Sequence, residues 1–361
     1  MNNLNENTHF ILGIFASNCS GGMSPSKLED SWKGTWQENL ELVQMAEQAG
    51  IDFMLSVARF IGFGGERDFQ GSVLEPIAWT AALLARTERI KIFTTLHTAK
   101  NNPIIAAKQL ATMIQIGGDR VGLNIVAGCN KPEYEAVGLT YPHEHNTRYK
   151  YAQEWCDLLK KTWTNPEPFD WNGIYFKAKG IYSKPHLTKL PPLFNAGTSR
   201  EGREFAIKNS DYLFTAVATK LDSSRAEIEQ LKDEGRKFNK NVRVLTYVHI
   251  ICRPTEEEAM AEWERQLANA DKEAVNQLMN TIFPFAKSMD QQALQDFRTR
   301  VAMAFGGFPL VGTPEQVADG LKTLHDIGFS GGALTFLDYK KEFAYFGDNV
   351  LPLLRERDVI K

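Results

Sequence analysis

Four cysteines in 361 residues, none of them in a CxxC pair, exclude a disulfide-stapled scaffold and a zinc cage. Long apolar runs are missing too, since no stretch reaches the roughly 18 residues that cross a bilayer. Positive charge is not in excess. The formal net charge of −3 argues against a nucleic-acid partner, whose binding domains are clearly basic. The opening MNNLNENTHF has neither the basic segment nor the apolar core of a secretory leader, so a cytoplasmic protein with free thiols is expected. A GxSxG elbow is absent, which disfavours acyl transfer. Gly/Ser-rich linkers and internal repeats are absent as well. What is present is a globular composition, because 43% hydrophobic and 11% aromatic content at low net charge is too apolar for disorder.

Short, branched, apolar segments recur and read as buried strands over 10–17, 51–57, 90–97, 120–128, 193–197, 211–217, 242–252 and 331–337. Amphipathic stretches alternate with them, at about 36–47, 74–86, 104–116 and 147–163, with another beginning near Ser199. Pro103 suits the first turn of its helix, where the missing N–H has no use. Continuous apolar strands separated by helices indicate a parallel sheet covered on both faces. Eight such units predict a single (β/α)8 barrel domain over 1–361, with insertions at about 165–190 and 255–309. No barrel strand is evident in the second insertion. A doubly wound open sheet uses the same alternation and is the structural rival.

A barrel builds its site from the loops after the strands. The loop ARFIGFGG after the second strand holds Arg59, an anion ligand or a surface cap. Asn124 lies among aliphatic neighbours in LNIV, where an amide must find partners or cost about 1–3 kcal/mol. Beyond it, KPEYE carries Glu133, which solvent alone would also accommodate. His143 and His145 are poor evidence for a metal without matching carboxylates, so none is expected. Arg148 and Tyr149 bring a guanidinium and a phenol suited to phosphate. In NAGTSREG a strand ends at glycine and a helix begins at Thr198 and Ser199, which is a phosphate-ready helix start or a plain N-cap. His249, inside TYVHIIC, and His97, at the end of the third strand, are core histidines or residues of the mouth. Together these suggest a phosphorylated cofactor that carries the chemistry itself. A sugar-phosphate barrel enzyme is disfavoured, because no lysine or carboxylate pair stands out at the strand ends.

At these same positions the chain resembles the bacterial-luciferase-like flavin monooxygenases, in the branch of pyrimidine, dimethyl sulfone and alkanesulfonate monooxygenases. DFMLSVARFIGFGG, RVGLNIVAGCNKPEYEAVG, the Arg148–Tyr149 pair, NAGTSREG, LVGTPEQVADGL and EFAYFGDNVLPLL carry the resemblance. It implies a (β/α)8 barrel that takes reduced FMN from a separate NAD(P)H:flavin reductase and uses O2 to oxygenate a small organic substrate. Position by position, it puts FMN contacts on Ala58, Arg59, Asn124, Glu133, Arg148, Tyr149 and Ser199. Leu55, Thr95 and Asn124 fall on an oxygen pocket, with Asn124 and Thr95 guarding the reacting ring. His249 falls on a proton donor or substrate contact, and Cys129 and Tyr247 on the substrate side. The pyrimidine branch carries Lys at Arg59 and Trp at Cys129, and the alkanesulfonate branch carries Arg at Tyr247. A neutral or weakly polar substrate, such as a pyrimidine-like heterocycle or an organosulfur compound, is therefore expected. A homo-oligomer, dimer or tetramer, is expected because exposed barrel helices often pair. The rivals are F420-dependent hydride transfer and a non-catalytic flavin-binding barrel.

Overall fold

Strands that are apolar on both faces need cover on both, and here they find it by closing on themselves. The computed structural model describes residues 9–128, 130–140, 145–197, 199–218 and 221–361. Among these, the strands in chain order are β1 (Ile11–Phe15), β2 (Phe53–Leu55), β3 (Lys91–His97), β4 (Val121–Val126), β5 (Phe169–Asn172), β6 (Lys177–Ile181), β7 (Leu193–Asn195), β8 (Tyr212–Phe214), β9 (Arg243–Cys252), β10 (Phe308–Gly312) and β11 (Gly331–Thr335). Eight of them form a parallel wall in the order β9-β11-β1-β2-β3-β4-β7-β8, and β8 pairs back onto β9. Tyr212 stands opposite Arg243, and Phe214 opposite Leu245. That closure makes the molecule a (β/α)8 barrel and excludes the open sheet.

Strand periodicity sorts the side chains into two apolar layers. Leu12, Ile14, Met54, Ile92, Leu123, Val244 and Val248 face outward and pack under the helices. Ile11, Phe53, Phe93, Phe194, Tyr212 and Leu245 face inward and fill the lower barrel. Phe93 meets Phe194 edge-on at 4.5 Å, and Phe194 stacks on Tyr212 at 4.6 Å. Two glycines make room for these rings. A Cβ on Gly13 would lie 2.2 Å from Phe53, and one on Gly122 would lie 2.1 Å from Phe93. These rings fill the lower half of the barrel, so a ligand is admitted at the C-terminal ends of the strands.

The helices begin where their caps dictate. Thr35 and Glu38 form a capping box on Trp36–Ala49, and Asn102 caps Pro103–Gly117 with proline in the first turn. Helix His145–Thr164 carries the antiparallel hairpin β5–β6. There Glu154 accepts hydrogen bonds from the backbone N–H groups of Ile174, Tyr175 and Phe176 and from the Trp171 indole. The stretch after β9 forms helices Glu256–Ala268, Lys272–Thr281 and Gln291–Ala304. Val275, Leu278, Met279 and Val301 pack there against Phe63 and Phe69 of the loop after β2, so this stretch roofs one side of the mouth.

It also ends in a strand that sequence reading did not single out. β10 pairs in parallel with the upper half of β9, Pro309 opposite His249, on the edge whose lower half holds β8. The strand is short and contains a proline, which is tolerated because its far side is an edge. Among the described residues no helix is long and apolar enough to cross a membrane.

Candidate active site

The inward-facing positions above the aromatic plug define the floor of the mouth. Leu55, Thr95 and Asn124 all lie there, at most 9% exposed. Thr95 and Asn124 are register partners on β3 and β4. The Asn124 amide donates to Thr95 Oγ1 at 3.1 Å, and that hydroxyl passes its own hydrogen to the Ser56 carbonyl. The Thr95 backbone N–H is taken by Ser56 Oγ at 3.0 Å. The polar groups of the floor are thus oriented by neighbours, beside the aliphatic Leu55.

The facing wall is aromatic. Tyr247 stacks on Phe214 at 5.6 Å, and Phe15 meets both rings edge-on. The Tyr247 hydroxyl donates to the Phe305 carbonyl at 2.9 Å, and burial pushes its pKa up to about 12. It stays a neutral phenol.

At the rim, one carboxylate serves two cations. Glu133 is paired with Lys100, lies 3.6 Å from the Arg59 guanidinium, and accepts the Phe60 backbone N–H at 3.0 Å. Burial works against its ionised form, but the Arg59 charge and the Lys100 ammonium outweigh it and hold the carboxyl below its usual range. Arg59 also donates to Gln70 at 2.8 Å and lies over the Phe63 ring. The Ala58 carbonyl faces the His97 ring at 3.2 Å.

A second group of residues converges on the start of helix Arg200–Asn209. Ser199 caps it, its hydroxyl accepting the Gly202 N–H at 3.1 Å. Tyr149 comes from a different helix to the same turn, where a methyl group on Gly202 would sit 2.5 Å from its hydroxyl. Arg148, one residue earlier, donates to the Gly128 carbonyl at 2.8 Å beside a cavity of about 240 Å3 lined by Ala127, Tyr134 and Tyr151. A helix N-terminus with its dipole and a phenol beside it suit a phosphate.

His249 is placed differently. It is fully buried under helix Glu256–Ala268, with Nδ1 3.3 Å from Thr335 Oγ1 and Nε2 3.1 Å from Gln266 Oε1. Burial lowers its pKa to about 4. With both nitrogens of the neutral ring engaged, His249 ties the roof helix to the barrel wall. Cys129, His143 and Thr198 lie outside the described residues. Among the described residues no group of three His, Cys, Asp or Glu is placed to hold a metal.

A family model described as luciferase-like monooxygenase matches residues 11–331. The chain belongs to that family. An FMNH2-dependent dimethylsulfone monooxygenase of Pseudomonas putida is 32% identical over 94% of this chain and 93% of its own. The pyrimidine monooxygenase RutA of Acinetobacter baylyi is 30% identical over 97% of this chain and 96% of its own. The crystal structure of DmoA from Hyphomicrobium sulfonivorans superposes with a TM-score of 0.87 over 98% of this chain and 89% of that one, at 19% identity. This last likeness shows the shared fold.

Within this luciferase-like monooxygenase, sequence reading passed over Lys100, Gln70, Ser56 and Gly202. Lys100 sits in a polar run, AKNN, that looks like ordinary surface, and its partner Glu133 is far along the chain. Gly202 carried a signal of sorts, as a glycine in the first turn of a helix where alanine is the better former.

Proposed function

We propose that the chain is the oxygenase component of a two-component system, taking reduced FMN from a separate NAD(P)H:flavin reductase and oxygenating a small organic substrate. The observation that carries the reading is the meeting of the Tyr149 hydroxyl with the Ser199-capped helix start, a cradle shaped for the FMN phosphate. The rest of the mouth fits the same cofactor, since its upper space is bounded by an oriented amide and hydroxyl on one side and aromatic rings on the other. The FMNH2-dependence of the dimethylsulfone relative supports it.

Reduced FMN, when bound, supplies the two electrons that split O2, one atom entering the substrate and the other leaving as water. The chain's own groups do the rest. Ser199, Tyr149, Arg148 and the free N–H groups of the helix hold the phosphate. Ala58, Arg59 and Glu133 line the rim against the ring system. Asn124 and Thr95 present fixed dipoles to the reacting side, and Leu55 keeps their hollow small and dry. Phe15, Phe214 and Tyr247 exclude water and face the substrate. Because Tyr247 is a neutral phenol, the preferred substrate is uncharged or weakly polar, a pyrimidine-like heterocycle or an organosulfur compound. The protein works as a homo-oligomer, for which exposed Ile105 and Ile116 on helix Pro103–Gly117 offer an apolar surface.

The test is a coupled assay with a flavin reductase, NADH, FMN and 18O2, screening pyrimidines, sulfones, sulfonates and halogenated aromatics by mass spectrometry. One 18O in a product is the expected result. Tight FMN binding without O2-dependent product, or oxygen-independent turnover with F420, would overturn the reading.

A further inference from the structure

His97 ends β3 on the inner face of the barrel, two residues above Thr95 and opposite Val126 of β4. Only 8% of it is exposed. Its Nε2 lies 3.2 Å from the Ala58 carbonyl oxygen, which can only accept, so Nε2 carries the hydrogen. In the neutral ring Nδ1 is then an acceptor. Among the described residues no donor reaches that nitrogen, although it is buried. A buried acceptor without a partner is a standing cost unless something else supplies the hydrogen.

The surroundings keep the ring in this state. Burial is the largest cause lowering its pKa, to about 3, and the Lys100 and Arg59 charges lower it further against the opposing pull of Glu133. The Lys100 ammonium and the Arg59 guanidinium both lie against the Glu133 carboxylate at the rim. Both cations oppose a second proton on the ring. Nδ1 therefore remains an acceptor throughout the physiological range.

Given the cofactor read above, we infer that His97 is a further cofactor-binding residue, its Nδ1 accepting a hydrogen bond from an N–H of the bound flavin and favouring the reduced ring. Oxidised isoalloxazine carries one ring N–H, whereas the reduced ring gains another at N5. An acceptor that cannot become a donor distinguishes the two. Its neighbours support the assignment, because Ala58, Thr95 and Asn124 are the groups placed beside the ring. Nothing else described in the mouth offers a buried nitrogen acceptor that lacks a donor.

The experiment is 15N NMR of the histidine-labelled full chain under anaerobic conditions, with the His97 signals assigned by their loss in His97→Gln. The free protein should show an unprotonated Nδ1 resonance that moves upfield with reduced FMN and less with oxidised FMN. In parallel, His97→Gln keeps a donor for the Ala58 carbonyl but leaves no acceptor at the Nδ1 position, and should weaken reduced FMN about fivefold while changing oxidised FMN by less than about twofold. His97→Asn, whose Oδ1 stands where Nδ1 stood, should restore most of that affinity. A Nδ1 resonance that stays put while reduced FMN binds would overturn the inference, as would equal weakening of both redox forms in both variants. A response to uracil alone would reassign the nitrogen to the substrate and overturn it too. If the wild-type protein binds neither form of FMN, the cofactor reading itself fails, and this one with it.

Discussion

Two buried histidines, His97 and His249, are held neutral in the folded barrel, with pKa values near 3 and 4 against about 6.5 in an open chain. As pH falls through about 6.5 the unfolded chain takes up protons that the folded one refuses. Stability therefore declines from about pH 6.5 down to about pH 4, by up to roughly 2.7 kcal/mol per pH unit for two sites. Glu133 acts lower down and in the familiar carboxylate sense. Burial opposes its charge, the two cations restore it, and its contribution is lost only as pH falls through its depressed folded value. Urea unfolding at pH 7, 6 and 5 should show the decline, and His249→Gln should remove about half of the slope while leaving that of His97. An unchanged slope in the variant would mean that His249 is protonated, and so not sealed beneath Gln266 as the geometry has it.

At the level of elements, the helix start at Ser199 is where two distant segments must agree. Gly202→Ala ought to suit the helix, alanine being the better former by nearly 1 kcal/mol, yet its methyl would displace the Tyr149 hydroxyl. The expected outcome is an intact fold with FMN affinity down about tenfold, read by fluorescence titration alongside a thermal melt. Ser199 itself was legible from the chain alone, because a glycine followed by Thr and Ser before a helical stretch is a local signal. The eight barrel strands were legible for the same reason, since unbroken apolar runs mark them within a few residues. β10 was not, because FPLVG is brief and opens around a proline, and only its register against β9 makes it a strand. Partnerships between remote segments were equally hidden. Nothing in AKNN announces that Lys100 meets Glu133, and nothing in the pattern of Glu256–Ala268 says that Gln266 will cover His249.

For the molecule as a whole, the aromatic plug divides labour between the two ends of the barrel. Below, rings and glycines interlock so tightly that Gly122→Ala, with its Cβ 2.1 Å from Phe93, should destabilise by about 1–3 kcal/mol while leaving FMN affinity near wild type in the folded fraction. Chemical denaturation and cofactor titration on the same sample separate these effects. Above, the mouth is assembled from loops of many strands, and its roof is anchored in an unusual way. The polypeptide leaves β9 after Cys252, builds three helices, and returns as β10 to lie against that same strand, Gly312 beside Cys252. The chain re-enters at Phe308 beside Val248, on the strand it left. The intervening stretch is therefore a cassette hung from one staple, and its length or contents can change without altering the spacing of any wall strand. New substrates could be accommodated by exchanging that cassette, while the floor of Leu55, Thr95 and Asn124 beneath remains as it is.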